Sequence, residues 1–339
     1  MTYKEYGPPS VLRLNEVERP TPKDDEALVK VRAVSLNRSD WERLRGTPWF
    51  TRFGGFLRPR HHILGSDVAG RIEAVGRSVK RFQPGDEVFG DLMERGGGFA
   101  EYVCADEKLL ALKPAGLTFE VASTIPQAGV IALQGLRDKG KVRQGQRVLI
   151  NGAGGCTGTF AVQLAKSYGA EVTGVDNGGK LDYMRSLGAD HVIDYSREDF
   201  SKNGQQYDLI LDVVGDRTVF DYKRALSPSG LYLAVGGRLS TLLQILFLGT
   251  WIGRRSGRRI RILAVRPKVE DMLTMAELCE GGRIVSFIDR RLALGDVPGA
   301  LQYLGEGRAE GKVVIVLESN NPSGDGDTNL GAESLKDQV

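Results

Sequence analysis

Residues 148–176, VLINGAGGCTGTFAVQLAKSYGAEVTGVD, decide the fold. An apolar run at 148–150 leads into a glycine-rich turn and a helical pattern, and a second apolar run at 172–175 ends in Asp176. Continuous apolar runs are typical of strands buried in a parallel sheet, and the apolar helix face between them completes a βαβ unit. The stretch therefore predicts an α/β protein.

The turn inside this stretch predicts a dinucleotide site. Ala153, Gly155 and Gly158 match G-x-G-x-x-G, and Asp176 follows Ala153 by 23 residues, close to the ~20 expected for an acid that binds ribose. Small residues let the chain reverse, let amides approach a pyrophosphate at the helix N-terminus, and let the helix pack closely on the strand. An ordinary strand–turn–helix connection is the alternative, and the flanking strands favour the cofactor site. The residues assigned to the cofactor at this turn are Ala153, Gly155, Cys156, Thr157 and Gly158.

The rest of the chain divides into three parts. Residues 1–118 contain short β-rich segments punctuated by Gly and Pro, 119–259 alternate strands with helix-sized intervals, and mixed structure returns from 260. Residues 319–339 are polar and predict a disordered tail. The expected strands are 27–34, 67–75, 99–103, 146–151, 171–175, 191–194, 209–214, 231–235 and 312–317, with a helix at 270–280.

Composition limits the partners. The chain has 339 residues, 41% of them hydrophobic, and a net charge of +3, so the basic bias of a nucleic-acid binder is absent and no nucleic-acid partner is expected. Cys104, Cys156 and Cys279 are far apart and odd in number, which excludes a disulfide framework and favours a reducing compartment. The first ten residues show no targeting pattern, so the cytoplasm is expected by elimination.

Seven stretches, in order and with consistent spacing, resemble the medium-chain dehydrogenase/reductase superfamily, in particular its zinc-independent, quinone-oxidoreductase-like branch. The resemblance implies a GroES-like β domain made of residues 1–118 and 260–318. A Rossmann domain with a doubly wound parallel sheet would be inserted at 119–259, with the active site in the cleft and homodimers as the usual assembly. The stretches are 6–41, ILGSDVAGRIEAVG (63–76), RFQPGDEVFGD (81–91), QRVLINGAGGCTGT (146–159), GADHVIDY (188–195), YDLILDVVG (207–215) and 287–315.

The same resemblance predicts that no metal is bound. Zinc-dependent members have a cysteine where this chain has Asn37, and Gly-His-Glu where it has Gly65-Ser66-Asp67. The four-cysteine lobe of their structural zinc is absent as well. Without a Lewis acid, the expected reaction is the NAD(P)H-dependent reduction of a quinone or an α,β-unsaturated carbonyl, because hydride addition to these substrates gives a delocalised enolate.

Asn37 is the first candidate for an amide that orients a small hydrophobic carbonyl or quinone substrate, with Asp40 and Trp41 next; alternatively, Asn37 and Asp40 only tie down a turn. No His or Tyr is clearly placed as an acid, so water is expected to protonate the enolate. By resemblance, Tyr195 lies near the adenosine. The residues expected near the nicotinamide riboside are Val214, Gly215, Gly236 and Gly237.

Two residues bear on the choice of cofactor. Asp176 should bind the ribose hydroxyls and repel a 2′-phosphate, which favours NADH. Lys180 aligns with a lysine that contacts the 2′-phosphate in NADPH-dependent relatives, but it is expected to be partly solvated on a flexible stem. The prediction leans to NADH and leaves both cofactors open.

The apolar run 239–252, followed by Arg254, Arg255, Arg258 and Arg259, has two interpretations. It could be an anchor on a membrane surface, or a buried or pocket-lining helix, and the second is favoured because a hydrophobic substrate needs such walls. Two rival functions therefore stay open: a non-catalytic nucleotide-binding protein and a membrane-surface quinone reductase.

Overall fold

The computed structural model describes residues 1–52 and 55–317, so the predicted tail at 319–339 lies outside the described residues. Within this part of the chain the strands form two sheets. The strands are β1 (Glu26–Ser35), β2 (Asp67–Val75), β3 (Glu87–Asp91), β4 (Tyr102–Asp106), β5 (Leu110–Leu112), β6 (Arg147–Asn151), β7 (Glu171–Asp176), β8 (His191–Asp194), β9 (Tyr207–Asp212), β10 (Leu226–Ala234), β11 (Arg259–Ile262), β12 (Ile288–Leu292) and β13 (Lys312–Val316). The helices are α1 (Arg38–Arg45), α2 (Phe119–Thr124), α3 (Pro126–Leu133), α4 (Cys156–Ser167), α5 (Leu181–Ser186), α6 (Val219–Ala225), α7 (Leu239–Ser256), α8 (Val269–Glu280) and α9 (Val297–Gly305).

The first sheet combines strands from the beginning and from the end of the described chain, and β1 lies between them. Its order is β12-β13-β1-β2-β3-β5, and β4 pairs with the first half of β1 while β13 pairs with the second half. Alternate residues of β1, such as Val29 and Val31, enter a core that also holds Ile315 from β13. The GroES-like sheet expected from the resemblance is confirmed, and it places the start of β13 beside the end of β1.

The second sheet is parallel throughout, in the order β11-β10-β9-β6-β7-β8. This is the order of a doubly wound Rossmann sheet, so the predicted fold class is confirmed. Val148 and Ile150 enter the core on one face, whereas Leu149 enters the core on the other. Both faces of β6 are buried, which explains its uninterrupted apolar run. Because the strand order reverses between β6 and β9, a crevice opens beyond their carboxyl ends.

Two predicted boundaries are wrong. The strand expected at 99–103 begins at Tyr102, because Phe99 instead donates its N–H to Leu64 O before the chain pairs with β1. The limit placed at 259 divides β11, which pairs with β10, so the Rossmann sheet extends to Ile262.

The helix α7 is buried on one face only and does not line the cavity, so the favoured interpretation holds for that face alone. Its inner residues, such as Ile245 and Ile252, pack on Ile260 of β11, while Leu246 and Phe247 are 63% and 76% exposed. A one-sided helix buries only the stripe that faces the sheet. No helix within the described residues is long and apolar enough to cross a membrane.

Candidate active site

A cavity of about 1190 Å³ lies between the two sheets, and residues from both sheets line it. Four predicted site residues, Asp40, Ala153, Gly158 and Gly215, do not line it. The predicted site residues that line the cavity are Asn37, Trp41, Gly155, Cys156, Thr157, Asp176, Lys180, Tyr195, Val214, Gly236 and Gly237.

The glycine-rich turn reverses one residue earlier than the sequence indicated. Gly152 has a φ of 86°, and a Cβ there would lie 2.5 Å from Val213 Cγ2, so this position requires glycine. Ala153, where the motif predicts the chain reversal, is buried instead and donates its N–H to Val175 O. At Gly158 a Cβ would lie 2.1 Å from Gly152 O, so the helix packs closely on the turn as the motif requires.

The N-terminus of α4 opens into the cavity. Its N-cap residue, Gly155, has no side chain to accept the first helical N–H groups, and Cys156 and Thr157 line the cavity. A Cβ at Gly155 would meet only Gly152 O, at 3.4 Å. The first N–H groups of a helix have no partner within it and attract anions, so a pyrophosphate fits here.

Asp176, the acid at the end of β7, is held in place by hydrogen bonds from backbone N–H groups, one of them in the glycine-rich turn. Asp176 Oδ2 accepts the N–H of Gly154 at 3.0 Å, and Oδ1 accepts the N–H of Asn177 at 2.9 Å. Lys180 Nζ lies 3.6 Å from Asp176 Oδ1 and donates to Ala309 O at 2.7 Å. The expectation that Lys180 is partly solvated is wrong, because its side chain is buried between the two halves of the molecule.

Buried Asp212 shapes the neighbouring strand ends, a role that the sequence did not reveal. Its Oδ1 accepts hydrogen bonds of 2.9 Å from Asn151 Nδ2 and from the N–H groups of Val214 and Gly215. A Cβ at Gly215 would lie 2.5 Å from Gly236 O, so these two loops touch through their backbones. Val214 and Gly236 therefore line the cavity side by side.

On the opposite wall, Asp40 has a structural role. Its Oδ2 accepts the N–H of Asn37 at 2.9 Å, which caps α1, and its Oδ1 accepts the N–H of Gly65 at 3.1 Å. Trp41 lines the cavity but is mainly buried against Gly305, where an added Cβ would lie 2.5 Å from the indole ring.

The side chain of Asn37 is held by groups far apart in sequence. Lys312 Nζ, fully buried, donates to Asn37 Oδ1 at 2.7 Å, and Asn37 Nδ2 donates to Ser66 Oγ at 3.3 Å. An ammonium group can only donate, so Lys312 must face the amide oxygen and turns the amide nitrogen toward Ser66. Sequence reasoning missed Lys312, which opens β13, because no local pattern connects it with Asn37.

Buried carboxyl groups surround this amide. Desolvation, the main cause, raises the pKa of Asp67 to about 8, although nearby Lys312 opposes the shift. Desolvation likewise raises the pKa of Asp91, on the cavity wall, to about 6. Gln127 donates its backbone N–H to Asp67 Oδ2 at 3.0 Å and its side chain to Ser66 Oγ at 3.3 Å. Among residues 1–52 and 55–317, no three His, Cys, Asp or Glu side chains converge to hold a metal.

Comparisons with known proteins agree with this architecture. Residues 23–115 match the family described as alcohol dehydrogenase GroES-like domain, and 187–315 match the family described as zinc-binding dehydrogenase. The 2-methylene-furan-3-one reductase of Solanum lycopersicum is 33% identical over 93% of this chain and 78% of its own length. The chain belongs to the medium-chain dehydrogenase/reductase superfamily, in its quinone-oxidoreductase-like branch.

Two further relatives place the chain within that branch. The chloroplastic NADPH-dependent alkenal/one oxidoreductase of Arabidopsis thaliana is 32% identical over 92% of this chain and 78% of its own length. The structure of the quinone oxidoreductase from Coxiella burnetii is 28% identical, with a TM-score of 0.83 over 94% of this chain and 98% of that one. The resemblance seen in the sequence is thereby confirmed.

Proposed function

We propose that this protein is an NAD(P)H-dependent reductase of quinones or α,β-unsaturated carbonyls. The observation that carries the proposal is the single cavity that joins the open N-terminus of α4 to the Asn37 amide. The names of the relatives, a 2-methylene-furan-3-one reductase, an alkenal/one oxidoreductase and a quinone oxidoreductase, support the same reaction class.

The glycine turn has the donors that a dinucleotide requires. The N–H groups at the start of α4 would hold the pyrophosphate, and Tyr195, at the end of β8, would lie beside the adenosine. The strand-end loops at Val214 and Gly236 would contact the nicotinamide riboside. When bound, the reduced nicotinamide supplies a hydride.

The Asn37 amide would donate a hydrogen bond to the substrate carbonyl oxygen, where negative charge develops during reduction. A preorganised donor stabilises such charge more than water does. Lys312 would act as a positioning residue, since it holds the amide oxygen away from the substrate. Trp41 would form an apolar wall.

The lean toward NADH stays a prediction. Asp176 lies at the cavity, but its charge is partly compensated by Lys180 and by two backbone N–H groups, so its repulsion of a 2′-phosphate is weaker than for an isolated carboxylate. One relative is named as NADPH-dependent. Both cofactors are therefore tested in the assay.

Homodimerisation would cover the exposed face of α7. The strand β11 is the last in its sheet and offers unpaired backbone groups to a second copy, and Leu246, Phe247 and Trp251 are exposed beside it. A membrane surface could cover this face of α7 instead, because Arg254 and Arg255 lie at the end of the helix and no acidic residue occurs at 222–269 to repel anionic lipids. The cytoplasm stays a prediction, since one relative is named as chloroplastic.

The test of the proposed activity is cofactor consumption. Purified protein is mixed with NADH or NADPH and a panel of quinones, enones and aldehydes, and absorbance at the dihydronicotinamide band is followed, with Gly155→Val as the inactive control. Turnover of at least one quinone or enone is expected. Binding of the cofactor without turnover of any substrate would instead favour the non-catalytic nucleotide-binding protein.

Whether a second copy or a membrane surface covers the exposed face of α7 is tested separately. Light scattering after size exclusion should give a dimer mass that falls to the monomer mass in Phe247→Glu. Co-sedimentation with anionic vesicles, lost in the Arg254/Arg255 double substitution to glutamine, would instead identify a membrane-surface reductase.

A further inference from the structure

Two carboxyl groups face each other next to the cavity. Asp67 in β2 and Asp91 at the end of β3 are register partners in an antiparallel pair, so their side chains lie on one face with Cβ atoms about 4.5–5.5 Å apart. Asp67 is fully buried, whereas Asp91 is 9% exposed and lines the cavity. Two negative charges so close in a dry environment repel each other, so one of them retains a proton at a pH where an exposed carboxyl has lost it.

The charges around the pair do not cancel both carboxylates. Lys312 is the one ammonium beside them in the described chain, with its Nζ 3.8 Å from Asp67 Oδ2. Asp40 adds a further buried carboxyl whose charge raises the pKa of Asp91, and Arg43 lowers the pKa of Asp40. One cation facing several buried carboxyls leaves a proton on the Asp67–Asp91 pair, in agreement with the raised pKa values of both groups.

We infer that Asp91 is the catalytic acid that protonates the reduced substrate, with Asp67 as the partner that keeps the proton available near neutral pH. This inference rests on the proposed reductase activity. It replaces water, the donor expected from the sequence, by a side chain on the cavity wall.

Once the β-carbon of an enone has received a hydride with its electron pair, the former C=C electrons lie on the enolate. The α-carbon of the enolate takes the proton of the Asp91 carboxyl, whose O–H bond breaks, and the products are a saturated carbonyl and the Asp91 carboxylate. Solvent entering the open cleft then returns a proton to the carboxyl pair.

A second acid on the wall provides the competing assignment. Glu42 also lines the cavity and burial raises its pKa, but its ion pair with Arg38 at 3.4 Å opposes that shift, and its side chain is 34% exposed. Asp91 has no arginine or lysine within ion-pair distance in the described chain, and it is connected through Gln127 to the Ser66–Asn37 pair that would hold the substrate oxygen. Asp91 is therefore better placed to stay protonated and to reach a carbon next to that oxygen.

The decisive variant is Asp91→Asn, assayed with one enone and one quinone. The kcat for the enone should fall by about 10²-fold, the usual contribution of a general acid, because carbon is protonated slowly without a positioned donor. The quinone should be affected much less, because its product is protonated on oxygen. In the wild-type protein the enone rate should decline between about pH 6 and pH 8, the pKa values of Asp91 and Asp67, as the carboxyl pair loses its protons, and this decline should vanish in Asp91→Asn.

Asp67→Asn gives a readout that a purely structural role would not produce. It removes the like charge beside Asp91, which lowers the pKa of Asp91, so the decline in enone rate should move to lower pH. Asp25→Asn, at an exposed position of the same domain, is the matched control and should change neither profile.

Three results would overturn the inference while leaving the reductase activity intact. The first is an unchanged enone rate in folded Asp91→Asn, and the second is a pH profile of the enone rate that does not move in Asp67→Asn. The third is that the decline of the enone rate with rising pH is lost in Glu42→Gln instead. Failure of the wild-type protein on every quinone and enone would contradict the proposed function itself.

Discussion

The two walls of the cleft are built in different ways. On the cofactor wall, the turn at 152–158 and Asp176 belong to one continuous segment and contact each other directly. The substrate wall collects Asn37, Ser66, Asp91 and Lys312 from four separate segments, and Asn37 is 275 residues from Lys312. A continuous motif can be recognised from its spacing, whereas a cluster assembled by the fold has no spacing to recognise.

The walls also differ in what holds them together. The turn depends on the absence of side chains at Gly152 and Gly158, where a Cβ would collide with neighbouring atoms. The opposite wall depends on buried polar groups that satisfy each other, such as Lys312 with Asn37 and Asp67. Burial of such groups is unfavourable unless each finds a partner, so substitutions on this wall should couple activity to stability.

The largest effect is expected at the cofactor wall. Gly155→Val should abolish cofactor binding in titration calorimetry, because a branched side chain would occupy the space that backbone amides need to approach the pyrophosphate. The fold should persist, since a Cβ at this position meets only Gly152 O at 3.4 Å. Unchanged affinity in folded Gly155→Val would place the cofactor elsewhere.

Gly158→Ala should lower the melting temperature instead, and Gly299→Ala, in open space on α9, is the control.

The next largest effect is expected on the substrate wall. Asn37→Ala should lower kcat by about 10²-fold, the usual loss when one donor to a developing oxyanion is removed. Steady-state kinetics should show a smaller change in KM, and Asn15→Ala, at an exposed position, should behave as the wild type. A loss of stability with an unchanged kcat would reduce Asn37 to the turn-forming role that it shares with Asp40.

The preference between NADH and NADPH should change less than the activities in the two preceding predictions when Asp176 is replaced. Asp176→Ser should shift the ratio of kcat/KM for NADH over NADPH toward NADPH by about tenfold, roughly 1.4 kcal/mol, because a carboxylate near the 2′ position is removed. Asp182→Ser, whose side chain is almost fully exposed, is the charge-matched control. An unchanged ratio would mean that Asp176 only supports the turn, and a wild-type protein strongly selective for NADPH would contradict the lean to NADH.

An effect on the pH dependence of stability is expected as well. Burial raises the pKa of Asp67 in the folded protein to about 8, above its unfolded value near 3.9. The folded state then binds a proton that the unfolded state releases, so this group stabilises the fold at low pH and loses that contribution as pH rises toward 8. Urea unfolding at pH 5, 7 and 9 should show the wild-type protein losing stability relative to Asp67→Asn, by at most about 1.4 kcal/mol per pH unit. A constant difference would show that the proton is not retained.

No effect is expected from removing zinc. Asn37 and Ser66 stand at two positions where zinc-dependent members have ligands, and both are engaged in hydrogen bonds. Dialysis against a strong chelator should leave turnover unchanged. A stoichiometric, tightly held zinc in elemental analysis would contradict this prediction.

Much of the fold could be predicted from local pattern. The central parallel strands β6 and β7 were visible as apolar runs because both of their faces are buried, and most observed strands lie within a few residues of the expected ones. The end of the Rossmann sheet was misplaced because β11 is a short edge strand with arginines at 259 and 261, which hide its strand pattern. The exposed face of α7 was not predicted because apolar composition does not show which residues meet a neighbour.

The sequence by itself determined the place of the glycine turn, the order of the Rossmann strands along the chain and the family, because these depend on neighbouring residues and on their spacing. Only the tertiary structure decided that Lys180 is buried, that Lys312 orients Asn37, and that Asp91 opposes Asp67. The reason is physical: burial and charge pairing depend on which surfaces meet when distant segments pack. The pKa of a carboxyl group follows from that packing rather than from the residues beside it in the chain.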